Sequence, residues 1–125
     1  DAFVLGIILG FGSYYGIVLF KEKLKIDDAL DVSSVHGVTG ILGALAIGVA
    51  ASPLVYPNGP VGLLHGNPEQ LLIQAFGIAV VAAFAFVVSL AIFKIIDKTI
   101  GLKVSDEEEE AGLDITQHAE KGFND

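Results

Sequence analysis

Apolar residues in this chain gather into three long blocks separated by polar stretches, and the block lengths set the first expectation. A hydrocarbon layer of about 30 Å is crossed by roughly 20 helical residues at about 1.5 Å each. Ala2 to Phe20 and Leu71 to Phe93 carry no charge, and Val32 to Ala51 holds only the ionisable His36. Each block predicts a membrane-crossing helix, over about residues 2–20, 31–51 and 70–97. The expected fold class is therefore all-α, a polytopic transmembrane helical protein whose three spans occupy residues 1–103, with an acidic tail over 104–125. A secretory signal peptide would need a basic start, a short apolar run and a small-residue cleavage site ahead of a soluble domain, an order not found here. The first block reads as a true span.

Composition agrees with the pattern. Hydrophobic residues make up 53% of the chain and mean hydropathy is +0.67, which suits a bilayer and not a small soluble domain. With no cysteine, disulfides and thiolate metal sites are excluded. The chain also lacks methionine and opens with Asp1 directly before an apolar run, so a piece of a longer protein is expected. The net charge of −8 is misleading as a global property, because Asp106 to Glu110, Asp114, Glu120 and Asp125 all lie in the tail. No basic patch exists for nucleic acid.

Lysines give the orientation. Lys21, Lys23 and Lys25 sit between the first two spans, and Lys94, Lys98 and Lys103 follow the third. Short loops rich in lysine stay in the cytoplasm, so both regions, and with them the C-terminus, are expected there. The connection from Ser52 to Glu69 has no Lys or Arg and is dense in Gly and Pro, which places it outside. The setting implied is a multi-pass protein of the cell (plasma or inner) membrane.

Small residues recur at helical spacing. Gly6, Gly10, Gly12 and Gly16 mark the first span, and Gly40, Ala44 and Gly48 the second. In lipid such stripes let helix backbones approach closely, and ordinary tight packing is weighed ahead of a pore-lining role for any one glycine. In the tail, Ser105 followed by Asp106, Glu107 and Glu108 fits a capping box, and Gly112 is placed to end a short helix in a left-handed conformation. A solvated or disordered acidic run is weighed equally.

The chemistry concentrates where the second span begins. Asp27, Asp28 and Asp31 cluster at its start, where a carboxylate can accept backbone N–H groups that lack intrahelical partners and suits the positive end of the helix dipole. His36 follows inside the apolar block, and an ionisable side chain there is a functional candidate by default. Gly40 and Gly43, four and seven residues on, would leave space beside the ring. The competing reading is a histidine hydrogen-bonded to a neighbouring helix for packing alone. A metal site is disfavoured, since no second ligand follows at suitable spacing on this helix.

The string Asp-Asp-Ala-Leu-Asp-Val-Ser-Ser-Val-His-Gly-Val-Thr-Gly-Ile-Leu-Gly, from Asp27 to Gly43, resembles a signature of the Amt branch of the ammonium transporter (Amt/Mep/Rh) family. The tail string Glu-Glu-Ala-Gly-Leu-Asp-Ile-Thr-Gln-His, Glu109 to His118, resembles that family's cytoplasmic C-terminus. The resemblance covers essentially the whole chain, as spans nine to eleven of an eleven-span ammonium-transporter-like fold plus the tail. It implies a homotrimer with one pore inside each protomer, and ammonium or ammonia as the substrate. It further implies a histidine pair in a narrow pore, of which His36 is one member, with Val32 as an apolar lining residue. Asp28 and Asp31 would then brace the pore helix at its cytoplasmic end. Gly112 and Thr116 match tail positions where one subunit meets the next, and where a PII-type cytoplasmic regulator is a candidate partner. Ala119 departs from the glycine that usually follows the tail histidine. His65, in the outer loop, and His118, in the tail, are read as surface and locally bonded residues.

The implied activity is ammonium transmembrane transport through a hydrophobic pore, with no cofactor and no metal. A metal cation cannot shed a proton and is rejected by the desolvation penalty, whereas a deprotonated amine crosses cheaply. Two rival readings are an ammonium sensor of the same fold and a small three-span accessory subunit. An enzyme is not expected, because no nucleophile and base pair, phosphate loop or metal cluster is present.

Overall fold

A computed structural model describes residues 2–122. Three helices are long and apolar enough to cross a bilayer: α1 (Ala2–Lys23), α2 (Ser33–Ala50) and α3 (Glu69–Thr99). Two short helices follow, α4 (Asp106–Ala111) and α5 (Leu113–His118). Among the described residues there is no strand, so the all-α, three-span class holds.

The two helices flanking the first polar loop are not α-helical throughout. α1 widens into a π-helix over Val18–Lys23, and α2 begins as one over Ser33–Val38 before turning α-helical at Thr39. π-helical turns shift each hydrogen bond by one residue and occur mostly as short insertions. Within α2 the Thr39 hydroxyl donates back to the Val35 carbonyl, a contact that competes with the regular helical ladder.

The chain forms two compact units, the first reaching to Ala82 and the second starting at Ala83. In the first, α1 lies against α2 where Gly16 meets Ser34, which is only 1% exposed. A Cβ on Gly16 would stand 3.1 Å from the Ser34 Cβ and 3.2 Å from a Val38 methyl, so the small residues are what allow this approach. Further along α2, Gly48 packs on Leu71 and Gln74 of α3, where a Cβ would stand 2.8 Å from the Leu71 Cα.

Between α2 and α3 the chain turns through Ala51–Pro68, closed by the Gly62 N–H on the Ala51 carbonyl at 2.8 Å and by a 3-10 turn at Leu63–His65. Gly66 ends that turn with φ 94°, a left-handed value that glycine adopts without steric cost. Among the described residues no apolar side chain is buried by the chain itself. Phe3 and Phe11 on α1, and Phe76 and Phe84 on α3, are all exposed. These faces therefore need lipid or other protein as their surroundings.

The second unit carries the end of α3 and the tail. α4 is opened by the expected capping box: Ser105 Oγ accepts the Glu108 N–H while the Glu108 carboxylate accepts the Ser105 N–H. Gly112 differs from expectation. Its φ of 98° is positive, but its ψ of 131° is extended, because the residue both ends α4 and starts α5, leaving no room for a left-handed helical turn.

Candidate functional site

The first four N–H groups of a helix have no partner within it. At the start of α2 the chain supplies all four from two aspartates. The Asp28 carboxylate accepts the Val32 N–H at 3.0 Å and the Ser33 N–H at 2.7 Å. The Asp31 carbonyl accepts the N–H groups of Ser34 at 3.1 Å and Val35 at 2.8 Å. The Ser33 hydroxyl, then the Ser33 N–H, hold the Asp28 carboxyl below its ordinary value, because both favour the charged form.

The two acids thus divide the work, and only Asp28 caps with its side chain. Asp31 sits at φ 55°, a left-handed conformation that Asp tolerates better than most residues. Its carboxylate turns back to α1, where Oδ1 lies 2.9 Å from the Lys21 Nζ. That kink also explains why α2 begins at Ser33 and not at 31. His36 consequently stands about one turn inside the helix, nearer its start than a helix begun at Asp28 or Asp31 would place it.

His36 lies within the π-helical stretch and is exposed, and Val32, at its mouth, is 50% exposed. Ser34, two residues before His36, is pressed on Gly16. Two residues on is close to half a turn in either an α- or a π-helix, so the imidazole stands on the side of α2 that α1 leaves open. Gly40 and Gly43 have no atom within 4 Å of where a Cβ would be, which keeps free volume along α2 beyond the ring. An imidazole here can accept or donate one hydrogen bond at each nitrogen, and of its neighbours one turn on, Gly40 has no side chain while Thr39 spends its hydroxyl on the Val35 carbonyl.

The tail residues form a second cluster. The Thr116 hydroxyl donates to the Gly112 carbonyl at 2.9 Å and approaches the Glu108 carbonyl at 3.4 Å. Glu108 also accepts from the Gln117 side chain at 3.1 Å, tying α5 to α4. The Asp114 carboxylate accepts the Gly122 N–H at 2.9 Å and the Ile115 N–H at 3.0 Å. Glu108 is held below its ordinary value, first by the Ser105 N–H, and Asp114 likewise, first by the Gly122 N–H. His65 is the last residue of the 3-10 turn at Leu63–His65, and His118 is the last residue of α5.

Sequence reasoning did not find Lys21 as a partner of Asp31, nor Glu108 as the centre of the tail. Lys21 was counted only for orientation, and nothing in the spacing from Lys21 to Asp31 reports that a π-helical turn brings them together. For Glu108 the signal was present in the capping-box pattern, but its bond to Gln117 depends on the bend at Gly112.

Residues 1–123 match the model of the Ammonium Transporter Family. The chain is 52% identical over 120 residues to Ammonium transporter 1 of Dictyostelium discoideum, covering 96% of this chain and 26% of that protein. It is 42% identical over 122 residues to Ammonium transporter Amt1 of Archaeoglobus fulgidus, and 37% identical over 122 residues to an ammonium transporter of Bacillus subtilis. Each of those two matches covers 98% of this chain and 30% of the relative. The chain therefore spans between 26% and 30% of the length of these three relatives. Matched along almost all of its residues, this chain belongs to the ammonium transporter family.

Proposed function

We propose that this chain contributes the histidine-bearing wall of an ammonium-conducting pore, with His36 and Val32 as pore residues. The observation that carries the reading is the position of His36, exposed on the face of α2 opposite the Ser34–Gly16 contact and bordered further along by glycines. An ionisable group in an apolar segment is costly unless it faces a cavity or a partner, and a second imidazole and a passing amine are both suitable partners. Asp28 and Asp31 hold the start of this helix and so set the height of the ring.

In this reading ammonium passes its proton to a neutral imidazole of the histidine pair, the amine crosses the apolar stretch guided by hydrogen bonds to that pair, and the imidazole gives the proton up again on the far side. A potassium ion has no proton to surrender and meets the full desolvation penalty. The lysines that end α1 and α3 support a cytoplasmic side for those ends and for the tail, in a cell-membrane protein. Family resemblance supports a homotrimer, with the Gly112–Thr116 region as a contact between subunits or with a PII-type regulator.

The test is His36→Ala in the natural polypeptide that carries these residues. The variant should reach the membrane and assemble as the wild type does, yet lose or change its selectivity for ammonium over potassium. Unchanged ammonium currents together with unchanged exclusion of potassium would remove His36 from the pore.

A further inference from the structure

We infer that Lys21 is a positioning residue for His36, acting through its ion pair with Asp31; this rests on the pore reading above.

The four N–H groups at the start of α2 are taken by the Asp28 carboxylate and the Asp31 carbonyl. The carboxylate of Asp31 is therefore free of capping duty, and its contact with Lys21 is available for another role. Asp31 also holds a left-handed backbone that a non-glycine residue adopts at some cost. Because its carbonyl accepts from Ser34 and Val35, the conformation of Asp31 fixes the residue at which α2 starts. His36 is the next residue after Val35. A slip of one residue in that start would turn the imidazole by about a quarter of a turn around the helix axis.

The pair links the π-helical end of α1, Val18–Lys23, to a residue two positions before the π-helical start of α2, Ser33–Val38. Together with the Gly16–Ser34 contact it pins α2 to α1 at two levels, one polar and one packed. An ion pair this open to solvent, with side chains 38% and 27% exposed, adds little to global stability. Its value lies in geometry, since the ammonium must take the tether from α1 and no other. Lys23, also in the last turn of α1, and Lys25, just beyond it, carry the same charge, and among the described residues neither forms an ion pair. They serve as controls for charge alone.

The experiment measures ammonium conductance per molecule and the ammonium-to-potassium ratio in the natural polypeptide carrying these residues. Lys21→Met should lower the ratio roughly two- to fivefold, the range an exposed ion pair can shift an equilibrium. Lys23→Met should leave the ratio unchanged, and Lys21→Arg should restore it. In an Asp31→Asn background Lys21→Met should have no further effect. Equal effects of Lys21→Met and Lys23→Met would overturn the inference, as would an undiminished effect of Lys21→Met without the Asp31 carboxylate. A loss of protein from the membrane with an unaltered ratio would also overturn it, reducing the pair to a structural contact. A wild type that carries no ammonium would defeat the pore reading itself, a pattern distinct from all of these.

Discussion

Replacing Gly48 by alanine asks whether the stripe Gly40, Ala44 and Gly48 is a uniform surface or a single tight contact. An alanine Cβ at 48 would stand 2.8 Å from the Leu71 Cα, 3.1 Å from its Cδ1 and 3.3 Å from the Gln74 Cγ. Carbon atoms in favourable contact sit about 3.5–4.0 Å apart. The two helices must therefore separate by roughly 0.7–1.2 Å, and the nearest obstacle is main chain, which no rotamer can move. Overpacking of this kind costs about 1–3 kcal/mol, while alanine in a helix gains about 1 kcal/mol over glycine. Gly40, two turns earlier, removes that second effect from the comparison. No atom lies within 4 Å of its Cβ position, so Gly40→Ala keeps the propensity gain without the clash. The gap between the two variants is then the clash itself, about 1–3 kcal/mol against Gly48→Ala. Reversible unfolding in mixed detergent micelles, followed by circular dichroism, measures it. Equal stability of the two alanine variants would refute the tight α2–α3 contact.

The remaining expectations concern the tail and the loop between α2 and α3. Glu108 and Asp114 are held below their ordinary values in the folded tail, so the unfolded tail takes up protons first as pH falls. The stability they add is present above the ordinary carboxylate range, near pH 4, and is lost as pH drops through that range toward the folded values. Amide signals of Ser105 and Gly122 followed between pH 7 and pH 2 should stay in place near neutrality and move only in acid; signals that never move would count against these bonds. Gly62→Ala should loosen the loop between α2 and α3, because a Cβ would meet the Val49 carbonyl oxygen at 2.7 Å and the Ala51 nitrogen at 2.8 Å. Faster proteolysis between Ala51 and Pro68 is the expected readout, and an unchanged cleavage rate would contradict the close approach.

The three spans were legible because length and apolarity alone decide what crosses a bilayer, and Ala2 to Phe20 or Leu71 to Phe93 needs no tertiary information. The capping box at Ser105 was legible for the same reason, since its partners lie three residues apart. What could not be read was backbone geometry set by neighbours. A π-helical turn leaves no residue pattern, so the widening at Val18–Lys23 and Ser33–Val38 was invisible. Asp28 and Asp31 looked interchangeable as caps, and only the left-handed φ of Asp31 separates a cap from a tether. At the candidate site, His36 stood out as a charge-bearing group in an apolar run, but the side of α2 it occupies follows from which residue touches α1, and that residue is Ser34.

The length of α3 has a consequence for the acidic tail. The helix runs to Thr99, six residues past the end of its uncharged block at Phe93. At about 1.5 Å each those residues carry the chain roughly 9 Å outward, close to the screening length of about 8 Å in physiological salt. In the proposed orientation Lys94 and Lys98 fall at headgroup depth, where cations are welcome, while the run from Asp106 to Glu110 begins beyond the reach of most of the field from anionic lipid. In that orientation the last turns of α3 would act as a spacer that lets a strongly negative segment stand beside a negative surface without being driven from it.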